Sequence, residues 1–176
     1  MNELEKLATE LFATELGAAL KAHGFILVLA ESCTGGMVAQ AVTSVAGSSA
    51  WFDRGFVTYS NAAKIDMLGV SAQTLEKFGA VSEQTAAEMA LGCLKVSALK
   101  HSQTHLAGSI TGIAGPDGGT ANKPVGTVCF GITQANQYIT ITQHFTGNRQ
   151  AIRQQAAAFL MQQLIQWLNS SSKINT

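Results

Sequence analysis

The chain has 176 residues, 47% of them apolar, and its 11 basic side chains balance its 11 acidic ones. This length suits one domain with a large core. Zero net charge excludes a protein that binds nucleic acid through a generally basic surface, and it excludes an acidic disordered tail. Only 12% of the residues are charged, about half of the roughly 25% usual in soluble domains, so we expect a homo-oligomer.

The first residues and the cysteines indicate the compartment. Residues 1–10 lack the basic-then-apolar order of a secretory signal. The uncharged stretch 32–52 is too polar for a membrane-spanning helix. The three cysteines are odd in number and contain no CxxC pair. These features predict a cytoplasmic protein with reduced thiols, without membrane attachment and without a zinc framework.

The first predicted elements form a strand–turn–helix junction. Leucines at helical spacing predict a helix over 3–22, and the continuous apolar run 25–30 predicts a strand buried on both faces. Residues 31–36 interrupt the apolar pattern before a second helix over 37–45. In α/β proteins, sites are found at junctions of this kind.

The later segments also alternate between helix and strand. In chain order they are a strand with Phe56, Val57 and Tyr59, a helix over 62–68 capped at 60, helices after Ser71 and Ser82, a strand over 106–113, a hairpin of 125–132 and 138–145, and a helix opening after Asn148. This order predicts a single three-layer α/β/α domain over 1–176 with a mixed sheet and a frayed tail from 170.

Two residues after the first strand are candidate nucleophiles. Ser32 lies where N–H groups of the next helix can stabilise an oxyanion. The alternative is an ordinary helix N-cap, since the flanking glycines of the G-x-S-x-G motif are absent. Cys33 is either a nucleophile or a buried thiol.

Lys64 is a candidate general base. A lysine acts as a base where burial lowers its pKa. Its distance from Ser60 is one helical turn, which is not the S-x-x-K spacing of penicillin-binding enzymes. The residue is therefore either such a base or an ordinary helical lysine, and Tyr59 is either a hydroxyl near the site or a sheet aromatic.

Two later segments are candidates for ligand binding. Thr111, Gly112 and Gly115 belong to a glycine-rich loop that suits either close backbone approach to a ligand or a long surface turn. The loop matches no dinucleotide or P-loop motif. Arg149 and Arg153 lie one turn apart near the start of the last helix, where cations oppose the helix dipole. They bind either a phosphate or surface acids.

No metal site is predicted. His101 and His105 have the spacing of a helical metal pair, but they lie at a helix-to-strand junction without a third ligand. The sequence also disfavours an enzyme that cleaves pyrophosphate bonds with Mg²⁺, because such a site needs grouped carboxylates and the acidic residues form no evident cluster.

Six segments resemble the CinA C-terminal domain family. They are AESCTGG (30–36), GSSAWFDRGFVTYSNAAK (47–64), GAVS (79–82), TGIAGPDGG (111–119), KPVGTV (123–128) and FTGNRQAIRQQA (145–156). The match spans about residues 5–168 and is similar to the stand-alone bacterial form, without the N-terminal domain of longer members. The resemblance implies a three-layer α/β/α fold, a dimer or tetramer, and no metal or other cofactor.

The resemblance also implies an activity. It is hydrolysis of the carboxamide of nicotinamide mononucleotide to nicotinate mononucleotide and ammonia, in pyridine nucleotide recycling. The family's serine–lysine machinery corresponds to Ser32 and Lys64, with Tyr59 close by. Ser48 also lies in a matched motif, and the turn after the first strand favours Ser32 over it as the nucleophile.

In the mechanism that this implies, Lys64 takes the proton of Ser32. N–H groups around Thr34, Gly35 and Gly36 hold the oxyanion.

The substrate 5′-phosphate would lie on Arg149 and Arg153, and the ribose against Gly112 to Gly115. An alternative of another class is a non-catalytic nucleotide-binding protein, or an accessory protein linked to competence and DNA damage. A third possibility is an amidase or pyrophosphatase for another pyridine nucleotide.

Overall fold

A computed structural model of the chain describes residues 3–98, 104–135 and 137–171. The helices and strands are α1 (Glu3–His23), β1 (Phe25–Glu31), α2 (Met37–Thr43), a 3₁₀ turn (Ser48–Ala50), β2 (Phe52–Val57), α3 (Asn61–Leu68), α4 (Ala72–Phe78), α5 (Glu83–Ala98), β3 (Thr104–Gly112), β4 (Thr127–Gln134), β5 (Gln137–His144) and α6 (Arg149–Ser171). Within these ranges, no helix is both long enough and apolar enough to span a membrane.

The predicted order of elements is confirmed, with shifts at their ends. Strand β2 begins earlier than expected and ends at Val57, so Tyr59 lies beyond the strand. Helix α6 continues to Ser171, so the expected fraying does not begin at 170, and residues 172–176 lie outside the described part.

The five strands form one mixed sheet in the order β2-β1-β3-β4-β5. Strand β1 is parallel to β2 and β3, whereas the β3–β4 and β4–β5 pairs are antiparallel. The carboxyl ends of β1, β2 and β3 therefore meet at one edge, which we call the carboxyl edge.

Strand β1 shows why the sheet is covered on both faces. Leu27 and Leu29 pack in the core on the side of α1, α2 and α6, whereas Val28 and Ala30 pack in the core on the side of α3, α4 and α5. Side chains alternate along a strand, so a continuous apolar run needs two apolar layers. The three-layer α/β/α fold with a mixed sheet is thus confirmed.

The start of α6 is fixed at the carboxyl edge. The Asn148 side-chain oxygen accepts the Ala151 N–H at 3.0 Å, which caps the helix. Further along, Ile152, Ala156 and Leu160 are buried in the core. This packing brings the first turns of α6 close to the turn that follows β1.

Candidate active site

Ser32 and Lys64 are in contact at the carboxyl edge. Ser32 is the first residue after β1, and Lys64 lies on α3. Lys64 Nζ is 3.0 Å from Ser32 Oγ. The exposed fractions are only 1% for Lys64 and 8% for Ser32. A hydroxyl and an amine at this distance, shielded from water, have the geometry needed for proton transfer.

The surroundings of Lys64 accommodate both the charged and the neutral amine. Its Nζ lies 2.8 Å from the Thr58 carbonyl oxygen and 3.5 Å from that of Tyr59. The three oxygens around Nζ match the three N–H donors of a charged lysine. Once the amine has lost a proton, the two carbonyls can accept its two N–H groups, which leaves the nitrogen lone pair for the Ser32 hydroxyl. Burial lowers the pKa of Lys64 from its ordinary value of 10.5, with a smaller opposing effect from Cys33.

The buried carboxylate of Glu31 caps helix α2. It accepts the N–H groups of Gly36 at 3.0 Å, Val38 at 3.2 Å and Ala39 at 2.9 Å. A negative charge at a helix N-terminus is favourable because the free N–H groups and the helix dipole point towards it. Glu31 was not among the predicted site residues, although an acidic residue just before a helix is a recognisable signal.

The N–H groups of Gly35 and Gly36, which have a predicted oxyanion role, are already bonded, and this disfavours that role. The Gly36 N–H donates to Glu31, and the Gly35 N–H donates to the Ser32 carbonyl at 3.0 Å. Both glycines have positive φ, +61° and +93°, a conformation that other residues rarely adopt. Within the described residues, no acceptor is found for the Thr34 N–H, but Thr34 is fully buried and does not line the cavity described below, so its predicted role stays a prediction.

A cavity of about 200 Å³ opens beside the Ser32–Lys64 pair. Its lining includes Ser32, Lys64, Tyr59, Thr111, Gly112 and Arg149. Typical ligand sites measure about 300–1,000 Å³. The cavity can therefore hold only part of a ligand of ordinary size, with the remainder lying at the mouth.

Arg149 bridges the mouth of this cavity. Its Nη1 donates to the Gly115 carbonyl at 2.7 Å, and its Nη2 donates to the Tyr59 hydroxyl at 3.0 Å. Tyr59 is 62% exposed. The predicted residues Tyr59, Gly115 and Arg149 thus lie together, around an exposed cation that an anionic ligand can reach.

Arg153 has a different environment. Its Nε donates to the Cys33 carbonyl at 3.0 Å, and its Nη2 donates to the Thr34 carbonyl at 2.7 Å. Arg153 does not line the cavity. The predicted pairing of both arginines on one phosphate is corrected: their helical spacing is right, but their guanidinium groups diverge.

The two alternative nucleophiles do not suit the role. Ser48 lies just before β2, at the sheet edge opposite Ser32, because β1 and β2 are parallel. It is not part of the cavity lining, so its place in the fold favours Ser32 over Ser48, and the catalytic role of Ser48 stays a prediction. Burial raises the pKa of the Cys33 thiol to about 11, so at neutral pH it is a protonated, weak nucleophile.

One wall of the cavity is a loop held by Lys123, which has no predicted role, and by Thr111, which is a predicted ligand-binding residue. Lys123 Nζ donates to the carbonyls of Phe78 and Val81 at 2.8 and 2.7 Å. The Thr111 hydroxyl donates to the Ala80 carbonyl at 2.7 Å. No local sequence signal identifies the contacts of Lys123, because they join segments more than 40 residues apart.

In the described residues, no three histidine, cysteine or acidic side chains are grouped as a metal ligand set. His105 lies in β3 rather than on a helix, and His101 is outside the described part. The absence of a metal cofactor stays a prediction.

Replacing Glu31 with glutamine is expected to destabilise the fold by about 3 kcal/mol, because the amide replaces a carboxylate oxygen with a donor that faces buried N–H groups. Denaturant unfolding measures this loss. Glu83→Gln is the matched control, since Glu83 accepts two threonine hydroxyls on β5, which water can solvate. Equal losses in the two variants would contradict the capping role of Glu31.

Comparison with known proteins gives concordant matches. A model of the CinA C-terminal domain matches residues 9–168. The chain is 57% identical to nicotinamide-nucleotide amidohydrolase PncC of Enterobacter agglomerans, covering 90% of this chain and 93% of the relative. It is 54% identical to the protein of the same name from Escherichia coli K12, covering 86% and 90% of the two chains.

Solved structures also match. The crystal structure of a competence/damage inducible protein from Agrobacterium tumefaciens superimposes with a TM-score of 0.84 and 43% identity, covering 92% of this chain and 96% of the other. The match covers nearly all of the fold described above.

Proposed function

Because the chain belongs to the CinA C-terminal domain family, we propose that it is an amidohydrolase that converts nicotinamide mononucleotide to nicotinate mononucleotide and ammonia. The names of the similar enzymes support this substrate and reaction. The observation that carries the proposal is the buried contact of 3.0 Å between Ser32 Oγ and Lys64 Nζ beside a cavity.

The first half of the proposed reaction forms an acyl-enzyme. Ser32 Oγ attacks the carboxamide carbon while its proton passes to the neutral amine of Lys64. The electron pair of the carbonyl bond moves to oxygen, and a backbone N–H of the turn after Ser32 is the proposed stabiliser of that charge; Cys33 is the residue of this turn that lines the cavity beside Ser32. When the tetrahedral intermediate collapses, the C–N bond breaks and Lys64 returns the proton to the departing ammonia.

The second half releases the product. Water enters the space left by ammonia and gives a proton to Lys64 as its oxygen attacks the acyl carbon. The ester bond then breaks, the proton returns to Ser32 Oγ, and nicotinate mononucleotide leaves. Each proton taken by Lys64 is given back, so the enzyme is regenerated without a co-reactant other than water.

Arg149 is the proposed ligand of the 5′-phosphate. It is exposed at the cavity mouth, and a phosphate can replace its neutral acceptors, the Gly115 carbonyl and the Tyr59 hydroxyl. An ionic acceptor forms the stronger bond with a guanidinium. Residues 111–115 then lie beside the ribose, with Gly112 in the cavity wall.

Replacing Arg149 with glutamine is expected to raise KM for nicotinamide mononucleotide by ~10- to 100-fold, the effect of losing one charge-assisted hydrogen bond. Steady-state ammonia release measures it. Nicotinamide riboside, which lacks the phosphate, is the control substrate. An equal loss for the riboside and the nucleotide would contradict the phosphate assignment.

Ammonia release from nicotinamide mononucleotide by the purified protein, without added metal and with EDTA present, tests the activity. Turnover supports the amidohydrolase. Binding without turnover supports the alternative, a non-catalytic nucleotide-binding or accessory protein. An accessory role fits the name of the similar Agrobacterium tumefaciens protein, a competence/damage inducible protein.

The organisation of the protein belongs to the same proposal. We take residues 1–176 as one domain that assembles into a homo-oligomer in the cytoplasm, with the sparse charge of 12% as support for association. Light scattering coupled to size-exclusion chromatography measures the assembly.

A further inference from the structure

We propose that Lys123 is a positioning residue that holds one wall of the active-site cavity in place for the substrate. The inference rests on the proposed function and extends it to a residue that does not itself line that cavity. The wall is the segment 78–82, which runs from the end of α4 to the start of α5 and which we call the wall loop. Ala80 and Val81 of the wall loop line the cavity beside Ser32.

The wall loop borders two cavities. The second one, of about 390 Å³, is lined in part by Phe78, Val81, Ser82 and Lys123. Val81 therefore lines both cavities. A segment of a protein interior is normally held by close packing, and the space on either side of the wall loop removes part of that packing. Hydrogen bonds must therefore supply much of what keeps the wall loop in place.

Every carbonyl of residues 78–81 accepts a hydrogen bond from a side chain. Lys123 Nζ donates to the first and to the last of the four, at 2.8 and 2.7 Å. The hydroxyls of Ser82 and Thr85 donate to the second, at 3.1 and 2.8 Å, and the Thr111 hydroxyl donates to the third at 2.7 Å. Lys123 thus fixes both ends of this segment, and it is the one charged donor among these four side chains.

The first of the two Lys123 bonds also closes helix α4. The last carbonyls of a helix have no partner within the helix, and the negative end of the helix dipole lies there. Phe78 is the last residue of α4, and Gly79 follows it with a φ of +80°. A lysine ammonium is a favourable partner for carbonyls at this end. The bond to Phe78 therefore fixes where the wall loop begins, and the bond to Val81 fixes the part that lines the cavity.

Lys123 is itself held by the loop between β3 and β4. The Thr120 N–H donates to the Lys123 carbonyl at 2.8 Å, and the Lys123 N–H donates to the Thr120 hydroxyl at 3.1 Å. The same loop contributes Ala114 to the cavity lining and the Gly115 carbonyl to Arg149. Lys123 thus joins two walls of the cavity, and the distance between these walls depends on its side chain and its two bonds.

The test compares Lys123→Met with Lys77→Met, using ammonia release from nicotinamide mononucleotide and from nicotinamide riboside. Lys123→Met keeps the apolar stem and loses both bonds to the wall loop. We expect KM to rise by ~10-fold with kcat within about threefold of wild type, because a displaced wall weakens the ground state and the transition state alike. The rise should be equal for the two substrates, since the wall loop lies beside the end of the substrate that they share.

Lys77→Met is the matched control. Lys77 lies on α4 directly before the wall loop, and its Nζ is 5.0 Å from the centre of the Phe78 ring. In the described part of the chain it donates to no carbonyl of the wall loop, so its KM should stay within about twofold of wild type. Lys123→Arg should recover most of the wild-type KM, because one guanidinium can donate to two carbonyls, as that of Arg153 does.

Hydrogen exchange measured by mass spectrometry follows the wall loop without reference to activity. In Lys123→Met, peptides that contain residues 78–82 should exchange faster, and peptides of β1 and α6 should exchange as in wild type. An unchanged KM, a KM raised for the nucleotide alone, or faster exchange throughout the chain would overturn the positioning role. If Lys123→Met does not fold, Lys123→Gln with wild-type KM overturns it. Wild-type protein without ammonia release would instead refute the proposed function itself.

Discussion

Replacing Ser32 with alanine is expected to lower kcat for ammonia release by ~10⁴-fold or more, which is the scale of effect seen when a serine nucleophile is removed. The side chain loses only its hydroxyl oxygen, so the fold should persist. Substrate affinity should also persist, because Arg149 is untouched. Steady-state kinetics and binding calorimetry with nicotinamide mononucleotide measure the two quantities.

Ser48→Ala is the matched control for this experiment. Ser48 lies before β2 at the opposite edge of the sheet, so its removal should leave kcat and KM unchanged. Mass spectrometry of wild-type protein quenched during turnover should find the nicotinoyl adduct on the peptide that contains Ser32. An adduct on Ser48, or near-wild-type kcat in Ser32→Ala, would contradict the assignment.

The fold could be predicted because its signals are local. The apolar run of β1 needs two covering layers, and the side chains of Ser60 and Asn148 cap α3 and α6 through N–H groups three residues on. These patterns depend on neighbouring residues. The end of β2 at Val57 was missed because Phe56, Val57 and Tyr59 all have strand propensity, so propensity alone does not show where pairing stops.

The site could be predicted only in part, because its contacts join distant segments. Lys64 looks like an ordinary helical lysine, and its burial follows from the packing of α3 beside the end of β1. Arg149 and Arg153 lie one turn apart, but their guanidinium groups reach different carbonyls, those of Gly115 and Cys33. Helical spacing gives the direction of the Cβ atoms and does not determine where the ends of such long side chains bind. The position of Ser48 follows from strand direction, which becomes known only when the sheet is known.

Lys64→Met is expected to lower kcat by at least ~10³-fold, since the variant has no base to accept the Ser32 proton. Lys64→Arg should be as inactive, because a guanidinium keeps its proton. Lys123→Met is the matched control: Lys123 also donates to two carbonyls of a cavity loop but has no contact with Ser32. Its activity should fall less, and its pH dependence should match wild type.

The pH dependence of wild type follows from the lowered pKa of Lys64, which burial causes. The base must be unprotonated, so kcat/KM should rise with pH through a pKa below the ordinary 10.5. Between these two pKa values the folded protein binds fewer protons than the unfolded chain, so the free energy of unfolding should also rise with pH. Lys64→Met should lose this pH dependence of the free energy of unfolding. If kcat/KM instead rose with pH only through the ordinary lysine pKa of 10.5, the role of Lys64 would be contradicted, because a charged amine beside Ser32 cannot accept its proton.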